Sequence, residues 1–327
     1  MIVSLIAVIV GLSVLVWSAD KFVDGAVGVA KFCGVSTLMI GMVVVGFGTS
    51  APEMVVSAIS AIQDNPELAL GNAYGSNIAN IALILGFTAV VSPVAVKRIS
   101  IFRDLPILMA VTAFAIFQIF DLSVSRLDGI LLLAVFAVAM TINVVSEKRM
   151  HSAPESVEEQ EEKPLSLGKA IFWLLLGLLL LVASSRLLVW GAVNIAQALG
   201  VSDLLIGLTI VAVGTSLPEL ASSIAAARRG EADLAFGNIV GSNLFNTLLV
   251  VGIAAVIKPM ESVSSAILVR DIPVMAALTL LLFVFGLPLR KTKQGRTGRI
   301  NRFEGLFFVL VYVGYLTYLV LEATGRI

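Results

Sequence analysis

Residues 41–90 and 207–256 are two versions of one passage. They align without a gap at an offset of 166 and are identical at 21 of 50 positions. The shared positions include Thr49/Thr215, Ser50/Ser216, Pro52/Pro218, Glu53/Glu219, Asn72/Asn238, Ser76/Ser242, Asn77/Asn243 and Asn80/Asn246. Apolar filler repeats easily; a carboxylate, hydroxyls and amides held in register do not. The chain must therefore fold as two equivalent units whose polar residues act in pairs. The echo continues downstream: Arg103 to Pro106 returns as Arg270 to Pro273, and Arg126 to Gly129 as Arg302 to Gly305.

Composition places these units in a membrane. The chain is 58% apolar and only 13% charged, against roughly half and a quarter for soluble domains, and its mean hydropathy is +1.02. Apolar runs of bilayer length fall near 2–31, 37–62, 68–92, 104–121 and 127–145, and again near 168–198, 203–227, 233–257, 271–288 and 304–322. The expected fold is all-α: ten transmembrane helices as two five-helix repeats, 1–145 and 168–327. The charged, Pro-containing segment 146–167 joins them as a solvated linker. The N-terminal run lacks a basic leader, and Gly11 to Val27 recurs in outline at Gly177 to Val193, so it reads as a retained first helix.

Five is odd, so the second repeat enters the membrane inverted relative to the first. Basic residues choose the orientation. With the N-terminus outside, 16 Lys and Arg fall in inside loops and 4 (Arg126, Lys258, Arg270 and Arg326) in outside loops. The positive-inside rule then puts both termini outside a cell membrane and the linker in the cytoplasm. One cysteine, Cys33, excludes an internal disulfide, and one histidine, His151, in the linker, argues against a His-ligated zinc or haem.

Within the second span, Thr49 and Ser50 share a helix face with Glu53. Pro52 removes a backbone donor and clashes with the Gly48 carbonyl, so the helix should kink and release backbone oxygens. Thr215, Ser216, Pro218 and Glu219 repeat the arrangement in the seventh span. Freed carbonyls at membrane depth are tolerated only where protein, water or an ion satisfies them. In the third and eighth spans Asn72, Ser76 and Asn80, and Asn238, Ser242 and Asn246, form polar stripes on apolar rods. Such stripes can bind ions or simply join helices. Asn77 and Asn243 lie off the stripes and read as packing groups. All these donors are oxygen, which suits a hard cation such as Ca²⁺ or Na⁺. Two carboxylates match the charge of one Ca²⁺; burying them without a cation costs about 3 kcal/mol or more each.

Other charges have plainer readings. Asp20, Lys21 and Asp24 suit a structural or vestibule cluster, and Arg186 stands where the repeat would place a second Asp20. Asp104 and Asp271 suit helix N-termini. The basic stretch 290–302 suits anionic headgroups.

The residues from Gly48 to Glu53 (GTSAPE) with Gly71 to Asn80 (GNAYGSNIAN), and from Gly214 to Glu219 (GTSLPE) with Gly237 to Asn246 (GNIVGSNLFN), resemble the paired α-repeats of the sodium/calcium exchanger family, prokaryotic type, within the calcium/cation antiporters. The resemblance implies two inverted five-helix repeats around four cation positions built by helices 2, 3, 7 and 8. It implies Ca²⁺ ligation by Glu53 and Glu219, helped by the carbonyls of Thr49 and Thr215. Sodium would use Ser50 and Ser76, Ser216 and Ser242, and the carbonyls of Gly46 and Ala212; Asn80 and Asn246 would line the middle position. It implies three Na⁺ per Ca²⁺, with helices 1 and 6 sliding over the other eight. In relatives, Asp at the Asn246 position accompanies potassium transport, so Asn246 implies potassium independence. Proton-coupled members of the wider group carry a glutamate where this chain has Gly75.

A proton/calcium antiporter, or one for another divalent cation, stays open on the residues alone, because a buried glutamate can carry a proton. A passive cation channel is disfavoured by inverted repeats around midplane carboxylates. No His, Cys or Ser–base arrangement supports an enzyme. The expected partners are Ca²⁺, Na⁺ and the lipid bilayer, with no cofactor, no nucleic acid and no obligate protein partner.

Overall fold

The computed structural model describes residues 1–64, 66–150, 165–200, 210, 212–288, 291–292, 295–296 and 298–326. The central part of the predicted linker with His151, the start of the predicted span 203–227, and Arg290 and Lys293 lie outside the described residues.

The helices follow the predicted spans. In the first repeat they are α1 (Ile2–Cys33), α2 (Thr37–Thr49 and Ala51–Ile62), α3 (Pro66–Val91), α4 (Ser100–Ile119) and α5 (Arg126–Met150). In the second they are α6 (Leu167–Ala198), α7 (described as Ala212–Thr215 and Leu217–Arg228), α8 (Ala232–Ile257), α9 (Ile267–Gly286) and α10 (Arg302–Ala323). Among the described residues eight helices are long and apolar enough to cross a bilayer, and the two arms of α2, bent by 44°, make a ninth. α5 ends and α6 begins on one face, called here the linker face; α1 begins and α10 ends on the opposite, terminal face.

α3 and α8 are the buried axis. Their apolar windows are 72% and 83% buried, against 11% for α10, which faces lipid. Leu70, Ile78, Ile84 and Leu85 of α3 interlock with Phe236, Leu244 and Leu248 of α8 in one core. The polar stripes therefore lie on the two helices farthest from solvent. The first arm of α2 packs backbone to backbone on α8: a Cβ on Gly237 would meet the Leu38 carbonyl, and one on Gly241 the Met42 carbonyl.

α1 and α6, each 32 residues long, run antiparallel along one another. At about 1.5 Å per residue such helices exceed a perpendicular crossing and must tilt. Their seam is set by repeat-related glycines. Gly25 abuts the Leu174 backbone and Gly191, its counterpart, abuts Ser4.

The two repeats are also tied at the surfaces. On the linker face β1 (Val94–Val96) pairs antiparallel with β2 (Gly298–Ile300), Val94 opposite Ile300. On the terminal face Val124 bridges Met260. The repeat offset of 166 carries Val94 onto Met260, and the Arg126/Arg302 register carries Val124 onto Ile300, so the two pairings are copies of each other.

α4 and α9 start earlier than expected, and this moves Asp104 and Asp271 off the helix N-termini. Each closes a π-helical first turn, Ser100–Asp104 and Ile267–Asp271, and pairs with the arginine before it at 2.6 Å. Tyr315 also donates to Asp271 at 2.9 Å.

Candidate cation site

Proline breaks α2 and α7 where the sequence places the breaks. Ser50 (φ −84°, ψ 1°) and Ser216 (φ −93°, ψ 9°) sit between the two arms of their helices in the sparsely populated bridge region. Pro52 and Pro218 each occupy the first turn of the following arm, where a missing N–H costs nothing. Glu53 and Glu219 then project from those first turns, both only 2% exposed. The two carboxylates, one from each repeat, interact electrostatically, and that of Glu219 lies beside Thr49 and Ser50.

α3 and α8 supply the amides. Asn72 donates to the Glu53 carbonyl at 3.3 Å and to Ser57 at 3.1 Å. In the other repeat Asn238 donates to Ser222 and Ser223 at 3.3 and 3.0 Å. Its oxygen takes the Thr49 hydroxyl at 3.1 Å, which also reaches the Val45 carbonyl at 3.0 Å. The Thr49 hydroxyl is thus engaged inside the protein. Asn80 and Asn246 begin and enter π-helical stretches, Asn80–Leu85 and Phe245–Val250. Such wide turns recur at functional sites because they re-aim side chains and loosen carbonyls.

The decisive feature is a surplus of acceptors. Ser50 Oγ, Glu53 Oε2, Glu219 Oε2, Ser242 Oγ and Asn246 Oδ1 are buried and have no hydrogen-bond partner. Buried polar atoms are paired in the great majority of cases. Here five such oxygens lie on α2, α7 and α8, helices that pack on one another and carry the two carboxylates. Among the described residues no three His, Cys, Asp or Glu side chains converge, so the formal charge comes from the two glutamates and the other oxygens are neutral.

Of the residues picked out from sequence, Glu53, Glu219, Ser50, Ser216, Asn80, Asn246, Ser76 and Ser242 are all buried. Thr215 is half-buried, Gly46 packs on the Ser242 backbone, and Ala212 opens the described part of α7. Asn77 and Asn243 do link helices: Asn77 donates to Thr247 at 2.7 Å and Asn80 donates to Asn243 at 3.0 Å, both across the repeats. Besides Ser57, Ser222 and Ser223, two further groups escaped the sequence reading. Thr247 has Ile81 as its repeat counterpart, so the duplication does not mark it. Ser185 of α6 donates to the Gly214 carbonyl at 2.9 Å, the oxygen that Pro218 displaces, and its counterpart is Ala19.

A sequence model described as "Sodium/calcium exchanger protein" matches residues 3–145 and 169–321, most of both repeats. The chain belongs to the sodium/calcium exchanger family. This exchanger is 46% identical to the putative antiporter CaxA of Alkalimonas amylolytica over 96% of its own length and 98% of that protein's. It is 31% identical to the sodium/calcium exchanger MaX1 of Methanosarcina acetivorans, covering 97% and 98% of the two chains. Its fold superposes on a solved structure of the sodium-calcium exchanger NCX_Mj, soaked with Na⁺ and Sr²⁺, with a TM-score of 0.81, 30% identity, and 97% and 98% coverage. The exchanger is thus a ten-helix membrane transporter of two inverted repeats, a cation/Ca²⁺ antiporter rather than an enzyme, and ions are its cargo.

Toward the linker face, α1 and the segment between α7 and α8 share a charge network. Arg229 reaches Asp20 at 3.4 Å and pairs closely with Asp24, which also meets Lys21 at 3.4 Å. Lys97 pairs with Asp233 at 2.7 Å. Burial raises the Glu231 carboxyl above its ordinary range, opposed by Lys31 and Lys97.

Proposed function

We propose that this exchanger expels Ca²⁺ in return for Na⁺, three Na⁺ for each Ca²⁺ and without K⁺, by alternating access to the centre between α2, α3, α7 and α8. Glu53 and Glu219 hold Ca²⁺, with the backbone oxygens of Thr49 and Thr215. Ser50, Ser76, Ser216, Ser242, Gly46 and Ala212 complete the Na⁺ positions around Asn80 and Asn246. The transmembrane repeats are 1–145 and 168–327, joined by the linker 146–167 in the cytoplasm, with both termini outside the cell membrane. The single observation that carries the reading is the pair of buried carboxylates, one per repeat, amid acceptor oxygens without donors. Such a centre is stable when cations neutralise it, and one Ca²⁺ or several Na⁺ can do so in turn. That is the physical basis of coupling: an un-neutralised pair of carboxylates opposes reorientation through hydrocarbon. Neutral Asn246 adds no third charge, in keeping with a carrier that omits K⁺.

Radiolabelled Ca²⁺ uptake into proteoliposomes loaded with Na⁺, K⁺ or choline at fixed pH tests this. Uptake is expected with internal Na⁺ only, to be accelerated by an inside-positive potential removed by net positive charge leaving, and to be indifferent to added K⁺. Uptake indifferent to Na⁺ and driven by a pH gradient would reassign the counter-ion to the proton.

A further inference from the structure

The two faces differ in charge around the repeat-related positions: Asp20 and Asp24 are balanced by Lys21 and Arg229 on one, and among the described residues Arg186 stands alone on the other. A cavity of about 460 Å³ is bordered by Pro52 and Val56 of α2, Arg186 and Trp190 of α6, and Thr215 and Pro218 of α7. It climbs from the proline breaks along the terminal-face half of α6. Inverting the repeat carries Arg186 onto Asp20, Trp190 onto Asp24 and Thr215 onto Thr49. At those counterpart positions the linker-face approach is shut: Thr49 is fully buried, Ala19 and Val23 are 1% exposed, and Arg229 holds both aspartates. So the linker face is built with two carboxylates where the terminal face has a guanidinium and an indole. Arg186 is exposed, and among the described residues no acidic group pairs with it.

A positive charge on the wall of a cavity that reaches the proline breaks of α2 and α7 needs a reason. The lining of this cavity is mostly apolar, and low-dielectric walls focus the field of a single charge along a cleft. The occupancy of an ion at a given potential falls exponentially with its charge. A field that thins Na⁺ by some factor therefore thins Ca²⁺ by the square of that factor.

We propose that Arg186 is a specificity-determining residue that selects Na⁺ over Ca²⁺ at the terminal-face mouth. It touches no ion in the centre; it sets which ion arrives. Ca²⁺ released on this face is hindered from returning, while Na⁺ enters at a smaller penalty. On the linker face Asp20 and Asp24 are balanced by Lys21 and Arg229, so one net negative charge favours the divalent ion once Arg229 lets go. The proposal rests on the antiport reading above and makes the apparent ion affinities of the two faces unequal, while the gradients set the direction.

The test uses the full-length protein with Arg186→Gln, Arg186→Asp and Arg186→Lys. Initial Ca²⁺ uptake into proteoliposomes is titrated with external Ca²⁺ and, separately, inhibited with external Na⁺, at low and high ionic strength. In parallel, Ca²⁺ binding and its competition by Na⁺ are measured on the purified protein. For Arg186→Gln the half-maximal Ca²⁺ concentration is expected to fall about fourfold and that of Na⁺ about twofold, the square relation of the charges. Arg186→Asp extends both shifts, Arg186→Lys preserves wild-type behaviour, and high ionic strength collapses the differences. Equal shifts for the two ions, or none, in a wild type that exchanges would overturn the filter and leave the antiport reading standing. A wild type without Na⁺-driven uptake would overturn the antiport reading, and the binding arm would still decide the filter: unequal tightening supports it, and equal or absent tightening overturns it.

Discussion

A glutamate buried at membrane depth is stable only in company. Glu53 and Glu219 each have one carboxylate oxygen lacking a donor, and in the proposed centre a cation offsets much of their burial cost. Glu53→Gln or Glu219→Gln keeps the side-chain volume and removes the charge. Each variant is expected to fold and to lose Na⁺-dependent Ca²⁺ uptake. Each should also lose the thermal stabilisation by Ca²⁺, which for the wild type is about 2.7 kcal/mol at a hundredfold excess over Kd. Melting curves with and without Ca²⁺ read this directly, and a retained Ca²⁺ shift in either variant would take that glutamate out of the centre. These residues are legible in the sequence because the duplication prints each one twice. Ser57 and Ser223 are printed twice as well, yet their bonds to Asn72 and Asn238 depend on how α2 meets α3 and α7 meets α8. Thr247 and Ser185 carry no such mark, since Ile81 and Ala19 stand in their places, and only the packing reveals them.

Among the elements, breaks and seams differ in how far sequence foretells them. Proline announces the bends of α2 and α7, because its ring removes one bond and blocks another wherever it sits in a helix. The π-helical turns of α4 and α9 likewise sit just before Pro106 and Pro273, whereas those of α3 and α8 have no proline to announce them. The clasp of α7 on α1 belongs here too. Arg229 is 36% exposed on its side chain, and exposed ion pairs are worth up to about 1 kcal/mol. A bias of that size shifts a two-state balance by about fivefold at most. Arg229→Gln is therefore expected to leave the fold intact and open the linker face more often. A cysteine at Ala19, in a Cys33→Ser background, should be labelled by a small maleimide up to about fivefold faster when Arg229 is replaced. Unchanged labelling would mean that apolar packing alone keeps this face shut.

For the molecule as a whole, the native cysteine reports orientation. Cys33 is exposed at the end of α1 on the linker face. With the linker in the cytoplasm, a membrane-impermeant maleimide should label Cys33 in inside-out vesicles and spare it in right-side-out ones. The reverse pattern would invert the proposed topology. The inverted architecture itself is legible before any coordinates, because an odd number of spans duplicated end to end has no other solution. The surface pairings are not legible, since three residues of strand lack a pattern of their own. Yet Val94 with Ile300, and Val124 with Met260, bind the two repeats above and below. Helices 2–5 and 7–10 so held resemble a window frame fastened at sill and lintel, with α1 and α6 as the sash. A frame stitched at both edges resists racking, which leaves the motion of the proposed alternating access to the sash.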